Sequence, residues 1–530
     1  MAFQTSAVPC SNCRSSQSIT IPKSPLPDLV DTNYALSPLQ ERLVQEALGQ
    51  TKLNLSQLDS EIFRVQGILN ELLRTRKALQ DYGEEHKPLL SPIRHLPSET
   101  LGEIFLQSLP EDWKHDLNPY RRAVMLPGQV CRRWRDVANR TPQLWSYLSV
   151  WLGPNSECEL ELTRTWLKRS AGHILSLRVV EWRPNVKSNL PVVNLLLGSS
   201  HRWSYADLRL SWSMLHAMEN AKYDLAALEH LSIEMNPPVG EEESLLVVPV
   251  HTFETAPRLN GLSLHSNAPP SMLVLPWAQL TKIRMRSRVF SLDDCYDILQ
   301  QSPNLVQCDM MPQSSTFRDA PAPLQHAHLR KLAIHSSTDC GPLFEALALP
   351  ALADFEYRNS DDHGWPQAQF VALLRRSRCA LRRLVLASPA AALDEDEVLE
   401  CLEVTSPSLA ALTLGRECAR NVSAALLARM THPAPAGAQL LAPRLEALAL
   451  DLYRDFDDRA FAGMVASRRR IRPHAGKDSV AWLRSVVLEP VTHRGFDAMT
   501  LERLRKCREG GLDIYMVETT DAGDEVQVPL

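Results

Sequence analysis

The 530-residue sequence lacks any long apolar run. Its longest apolar patches, around Pro191–Leu197 and Leu245–Val250, fall far short of the roughly 20 residues that span a bilayer. A basic start followed by an apolar stretch is missing too: Met1-Ala2-Phe3-Gln4-Thr5 does not open a secretory signal. Nor does one sign of charge prevail. With 57 Lys and Arg against 62 Asp and Glu, the formal net charge is −5. That balance points neither to nucleic acid nor to an acidic solvating arm. Paired cysteines are also absent from the body of the chain. The eleven cysteines stand mostly singly in apolar stretches, as at Cys308, Cys379 and Cys401. They read as reduced intracellular thiols packed as small hydrophobes, not as a disulfide framework. No Gly-rich phosphate loop, Gly-x-Ser-x-Gly elbow or His-Glu-x-x-His pattern occurs. No enzyme class, metal or cofactor is therefore expected, and cytosol or nucleus is the expected compartment.

What is present is enough chain for two to four domains, with the 44% hydrophobic and 22% charged residues of an ordinary folded protein. Residues 1–37 are rich in Ser, Pro and Thr without periodicity, and are expected to be a disordered lead. From Leu55 the apolar residues recur in seven-residue register: Leu55, Leu58, Ile62, Val65, Leu69, Leu72 and Leu79, with Arg76 as the interruption. Ile68 and Leu73 stand outside that register and widen the stripe. The spacing predicts a long amphipathic, coiled-coil-like helix over 38–87. It either packs in a bundle or pairs with a second copy, and Gly83 and Pro88 are its expected stops.

The segment 149–515 carries a weak repeat: apolar, two others, apolar, one other, apolar. Ile174/Leu177/Val179, Tyr205/Leu208/Leu210, Leu228/Leu231/Ile233, Leu259/Leu262/Leu264 and Leu280/Ile283/Met285 follow it. So do Leu329/Leu332/Ile334, Leu352/Phe355/Tyr357, Leu381/Leu384/Leu386, Leu409/Leu412/Leu414, Leu445/Leu448/Leu450 and Leu483/Val486/Leu488, with a poorer match at Leu305/Cys308/Met310. The last two apolar positions alternate as a short strand does. Helix-like pieces lie between, at Asp293–Gln300, Phe370–Ser377, Asp394–Val404 and Asp458–Val465, and prolines punctuate the joints. Strand, loop and helix repeated in one hand predict an α/β, leucine-rich-repeat-like solenoid with a parallel sheet. The Asn that commonly follows such strands occurs only at Asn236 and Asn267. An ordinary layered α/β domain is the alternative. Residues 516–530 are expected to be a tail.

Between helix and repeats, residues 88–148 offer three short amphipathic helices. Pro97 fixes the entry, Ser98 suits a cap, and Glu99 sits at the positive end. Leu101, Ile104, Phe105 and Leu109 then share one face, and Pro110 stops the run. Val130, Trp134 and Val137 make a second face. Thr141-Pro142 opens a third helix with Leu144, Trp145 and Leu148. So little chain does not bury its own large apolar residues well, so a docking surface is expected. A helical cap on the repeats is the other reading.

The stretch resembles an F-box. Leu96-Pro97-Ser98-Glu99, Ile104-Phe105, Val130-Cys131-Arg132-Arg133-Trp134 and Leu144-Trp145 match that family's four elements in order. Residues 55–180, including Thr165-Trp166-Leu167-Lys168-Arg169-Ser170, are similar to the large F-box group of mushroom-forming fungi. The resemblance implies a non-catalytic substrate receptor of a Skp–cullin–F-box ubiquitin ligase. Pro92, Ile93, Leu96, Pro97, Leu101, Ile104, Phe105, Val130 and Trp134 would form or support the surface for a Skp-type adaptor, and cullin would join through it. The repeats would bind an unknown protein target, with no membrane or nucleic-acid partner. Two features depart from the family: a long link over 111–129 and Gly102 inside the first helix. Outside the resemblance, a leucine-rich scaffold acting apart from any ligase and an unfamiliar α/β enzyme stay open.

Three smaller signals carry less. Cys10-Ser11-Asn12-Cys13 is half a zinc site without a second half. Arg468-Arg469-Arg470-Ile471-Arg472 reads as a solvated loop before an import signal or phosphate contact. Asp394-Glu395-Asp396-Glu397 reads as an acidic helix start, not a calcium loop.

Overall fold

The computed structural model describes residues 21–529 apart from 111–116, 154–155, 183–184, 222, 236–247, 266–268, 287–289, 320, 360–363, 389–392, 417–418, 420–421, 453–455, 471–479, 491–494 and 520–524. Cys10, Cys13, Asn236 and Asn267 lie outside the described residues. The protein is mixed α/β, with a long N-terminal helix and a large, mostly parallel sheet. Two compact units divide it, residues 1–100 and 101–530.

In the first unit, helix α1 runs unbroken over Pro38–His86. Proline at the first helical position and a 3.0 Å bond from the Ser37 N–H to Gln40 Oε1 set its start. It passes straight through Gly83, one of the expected stops, because the Lys87 N–H still finds the Gly83 carbonyl. Short 3₁₀ turns at Lys87–Leu90 and Pro92–His95 follow. Of the expected lead, residues 1–20 lie outside the described residues. Residues 21–37 include a 3₁₀ turn at Pro27–Leu29, and with Val44, Ala47, Leu48 and Thr51 of α1 they line a cavity of about 340 Å³.

Among the described residues of the second unit, fifteen strands form one sheet. They are β1 Tyr147–Leu152, β2 Leu175–Glu181, β3 Trp203–Leu210, β4 His230–Met235, β5 Gly261–His265, β6 Lys282–Arg286, β7 Gln307–Met311 and β8 Lys331–Ser336. Then come β9 Asp354–Asn359, β10 Arg383–Ser388, β11 Ala411–Arg416, β12 Ala447–Leu452, β13 Ser485–Pro490, β14 Asp513–Thr519 and β15 Glu525–Pro529. Each lies between its predecessor and its successor, and all pairs are parallel except the last. A layered, doubly wound sheet reverses its strand order at some point. This one does not: the chain advances one strand per turn.

The repeat has a backbone cause. The residue after the first apolar position donates its N–H to the carbonyl of its counterpart one turn earlier. Asn260 bonds to Glu229, Thr281 to Asn260, Val306 to Thr281, Arg330 to Val306, and so on to Asp513 with Arg484. One continuous ladder therefore stitches the turns, which fixes the leucine before each rung inside the core. From Leu228 to Leu483 all ten such positions are buried. The first two units depart from the expectation. Ile174 is exposed and Leu175 takes the core position; Tyr205 is half-buried while Trp203 is buried.

The sheet extends beyond its expected limits at both ends. β1 precedes the first predicted unit, and β15 turns the expected tail into an antiparallel edge strand on β14. All four predicted helices exist, as Leu292–Gln301, Gln367–Ser377, Glu395–Thr405 and Asp458–Arg469. Their inner faces meet the sheet in aromatic contacts such as Phe355–Phe370, with centroids 4.8 Å apart.

Candidate functional site

Two regions of the second unit are candidates: the box segment from residue 101 and the polar face of the sheet. Among the expected box residues, Pro92, Ile93 and Pro97 are exposed and Leu96 is half-buried, all in the first unit. Helix α2, Ser98–Gln107, begins there and ends in the second. On it Leu101 and Phe105 are buried, whereas Ile104 is 41% exposed. Trp134 lies on helix α5, Arg132–Asn139; its ring meets that of Phe105 with centroids 5.0 Å apart. Val130, at the end of the short helix α4, Pro127–Val130, is 61% exposed. Leu101 and Phe105 thus belong to the chain's own core. Of the expected adaptor-facing residues in this part of the box, Ile104 and Val130 are exposed, and Met125 and Leu126 are exposed beside them.

The link over 111–129 contains helix α3, Leu117–Met125, in addition to the three helices expected of this segment. Val124 on it is buried, and Arg121 reaches Glu159 on helix α6, Ser156–Arg169, at 3.2 Å. The Ala123-Val124-Met125-Leu126 run was the available signal; Pro119 in the link obscured it. Gly102 has a packing reason. A side chain there would place its Cβ 3.0 Å from Thr141 Oγ1, which itself donates to the Val137 carbonyl. Thr141 therefore does not cap the next element, as expected of it. Pro142–Trp145 is a 3₁₀ turn and Leu148 sits on β1. Trp145 donates to the Ala138 carbonyl at 2.8 Å and packs on α6, so this end of the box also caps the sheet.

The outward face of the sheet carries a ladder of charge across β6–β10. Asp309 faces Arg284 at 3.2 Å, Arg286 at 3.7 Å and His335 at 3.5 Å. Asp354 faces Arg383 at 3.0 Å and Lys331 at 3.7 Å. Glu356 faces Arg358 at 2.7 Å and Arg383 at 3.6 Å. The carboxylates are the sheltered partners, 14–26% exposed, and the cations the open ones, 40–58% exposed. Lys282 adds a sixth, exposed cation to these three carboxylates. The surface is therefore cationic although the chain is acidic overall. Toward β2–β4 the charges balance one to one instead, as in Arg178–Asp207 and Arg209–Glu234.

Burial raises the Glu356 carboxyl, but the Arg358 bond and the charges of Arg358, Arg383 and His335 outweigh it and hold it below its usual range. His335 titrates below the ordinary histidine value: burial lowers it, Asp309 and Glu356 pull it up, and Arg286 and Arg358 push it down. His265 is lowered for the same first reason; Glu234 pulls it up, and Arg286, Arg209 and Arg284 push it down.

Elsewhere, a cavity of about 630 Å³ is lined by Gln279, Thr281, Asn304, Val306, His328 and Arg330. Its amides serve the fold: Gln279 donates to the Ala256 and Leu259 carbonyls and Asn304 to that of Ala278. Among the described residues no three His, Cys, Asp or Glu side chains gather as a metal site would. No helix among them is long and apolar enough to cross a membrane.

The arginine run is not the solvated loop it resembled. Arg468 lies on the helix Asp458–Arg469, fully buried, and donates to the Met430, Leu441 and Ala442 carbonyls at 2.7–2.8 Å. Arg469 bonds the Leu483 and Gly510 carbonyls and lies over the Trp482 ring. Residues 471 and 472 fall outside the described residues. Asp394 accepts from the Glu397 N–H and Glu397 from the Asp394 N–H, so that acidic run is a helix start. Cys308 and Cys401 are buried and Cys379 half-buried, each without a disulfide. Neither a family model nor a curated protein matches this chain.

Proposed function

We propose that the protein is a non-catalytic substrate receptor of a Skp–cullin–F-box ubiquitin ligase. The four ordered F-box elements carry this reading. Supporting it, Ile104 and Val130 keep apolar side chains in solvent while the neighbouring Leu101 and Phe105 turn inward. That division of labour suits a module that folds on its own chain and still offers a grip to an adaptor. The stacked turns read as an irregular leucine-rich-repeat-like solenoid, and their open face as the target site. Across β6–β10 cations exceed carboxylates and stand further into solvent, so the target is a protein segment rich in Asp and Glu that lies over those strands. The mechanism is proximity: adaptor and target held on one chain raise the effective concentration of a target lysine near the ligase's catalytic partner. Cytosol or nucleus is where such a ligase works.

Co-expression with a fungal Skp-type adaptor tests the adaptor half. A one-to-one complex on size exclusion is expected, lost in Ile104→Asp and in Val130→Asp. Both side chains are exposed, so both variants should stay folded. A complex that both variants retain sinks the assignment. A second reading rests on the buried Leu101, Phe105 and Trp145, which make the box a cap for the sheet. Under it the protein is an interaction scaffold outside any ligase. Cullin that co-purifies with the adaptor complex decides against the scaffold.

A further inference from the structure

Helix α1 is 49 residues long and none of them is buried. At about 1.5 Å per residue it extends roughly 70 Å. An isolated helix gains most of its stability from packing an amphipathic face, and this one leaves its face open. Leu55, Leu58, Ile62, Val65, Leu69, Leu72 and Leu79 are 39–67% exposed. From these observations we infer that α1 pairs with α1 of a second copy of this chain, as a parallel, in-register, two-stranded coiled coil over residues 55–79. The inference is independent of the ligase reading.

Four features specify that occupant. The first is the period. A strict seven-residue repeat gives 3.5 residues per turn, the period of a left-handed coiled coil and narrower than a globular core requires.

The second is where the open seam begins. Extended backwards, the a and d positions fall on Val44, Leu48 and Thr51. These residues line the cavity shared with the lead segment around Pro22–Leu36. The lead segment thus half-buries Val44 and Thr51, although Leu48 is still 55% exposed, and from Leu55 onward every apolar seam residue is exposed.

The third feature fixes direction. Ile68 and Leu73 stand off the seam, at a g and an e position. In a parallel in-register pair, a g residue meets the e residue five places on in the partner helix. Ile68 then meets Leu73 of the second copy, and Leu73 meets its Ile68, one apolar pair on each flank of the Leu69 and Leu72 layers. The remaining flank pairs are Asn54 with Asp59, Glu61 with Gln66, and Thr75 with Gln80, so no like charges oppose. An antiparallel pair that overlaps the same seam matches e with e and sets Leu73 against Asp59. The two residues that break the heptad pattern are thus complementary to each other only in the parallel arrangement.

The fourth feature is Arg76, the polar residue at a single a position. Such a residue fixes register and limits oligomer size at some cost in stability, because its head group reaches water beside two helices more readily than inside three or four.

The test uses the full chain. Light scattering after size exclusion should give twice the 59.6 kDa chain mass. Leu69→Asp combined with Leu72→Asp should halve that mass while the far-ultraviolet signal of the sheet stays unchanged. Leu72→Cys should form an interchain disulfide under mild oxidation, because d positions face each other only in a parallel in-register pair. The unsubstituted chain is the control for the exposed Cys131 and Cys158. A chain that is monomeric at tens of micromolar overturns the inference, as does a trimer or tetramer. A dimer that survives the paired aspartates overturns the interface. A dimer that the aspartates dissolve, but that Leu72→Cys does not cross-link, overturns the parallel register.

Discussion

The indole of Trp145 meets that of Trp166 edge-on, with ring centroids 4.8 Å apart. Arg169 stacks over the Trp145 ring at 4.4 Å, and the Trp166 N–H donates to the Tyr147 carbonyl. One ring from the end of the box segment is thereby locked between a strand entry and helix α6. Edge-to-face packing adds to the area each indole buries, so box and sheet share a core at this point. Trp145→Ala should cost about 3–5 kcal/mol. Trp145→Phe keeps most of the packing and loses mainly the bond to the Ala138 carbonyl, about 1 kcal/mol. Urea unfolding of the three proteins checks the order. If the alanine variant unfolds with an unchanged midpoint, the box does not share the core of the sheet.

Arg468 shows a second kind of fastening. It is fully buried, bonds no carboxylate among the described residues, and gives its guanidinium to three backbone carbonyls of the preceding turn. Burial lowers it to about 10, so it stays charged at neutral pH. Arg468→Met fills much of the volume but removes the guanidinium from all three carbonyls, of which Ala442's keeps the Leu445 N–H, at about 1–3 kcal/mol for each buried group left unpaired. Arg468→Lys offers a single nitrogen to a three-way site and should also destabilise, by less. The thermal midpoints should fall in the order wild type, lysine, methionine. A methionine variant as stable as wild type would mean that the guanidinium adds nothing net.

These two residues mark where the sequence could and could not be read. The twelve predicted apolar units all fall on strands, because a half-buried strand must alternate and the rung before it must bury its leucine. The last turn was lost because β15 is short and polar-flanked: Glu525-Val526-Gln527-Val528-Pro529 alternates but pairs only as an edge. The burial of Arg468 is hidden in the sequence for a different reason. A run of arginines says nothing about which one turns inward; only the register of its helix against the previous turn decides that. Exposure within the box was equally hidden. Leu101 and Ile104 are similar residues three apart on one helix, and the groups that pack on that helix, Thr141 beside Gly102 and Trp134 against Phe105, come from far along the chain. Neither the cation excess on the sheet nor its shielded carboxylates appears in a chain whose net charge is negative, since charges 25 or so residues apart become neighbours only through the strand register.

That cationic face should respond to acid. His335 and His265 titrate below their ordinary value near 6.5 in the folded protein. Between the folded and unfolded values the unfolded chain binds more protons, so stability rises with pH through that window and falls on acidification from pH 7 toward 5. Glu356, lowered in the fold, gives a second loss at lower pH, beginning below its ordinary 4.5. His335→Gln should flatten the first part of the profile, read as the thermal midpoint at pH 7.5 and 5.5, and leave the second. An acidic partner acts in the opposite sense. A Glu-rich peptide laid beside Arg286, Arg358, Asp309 and Glu356 raises His335 toward protonation, so its binding should take up protons and tighten as pH falls toward 6. Calorimetry in two buffers of different ionisation enthalpy measures the uptake. Binding that is indifferent to pH, or to Arg284→Glu with Arg286→Glu, places the peptide elsewhere.

Gly102 gives the sharpest internal test of the box. In the middle of α2 glycine costs about 1 kcal/mol against alanine, yet the Cβ of an alanine would stand 3.0 Å from Thr141 Oγ1. The threonine cannot easily swing away while its hydroxyl donates to the Val137 carbonyl at 2.8 Å. Gly102→Ala alone should therefore gain little or lose stability. In a Thr141→Ala background the obstruction is gone, and the same substitution should stabilise by about 0.5–1 kcal/mol, the helix-propensity gain now unopposed. The sign of the coupling, read from a four-protein denaturation cycle, is the point of the experiment. Equal effects in both backgrounds would show that Thr141 does not hold residue 102 to glycine, and the close approach of α2 to the turn at Pro142 would lose its physical cause.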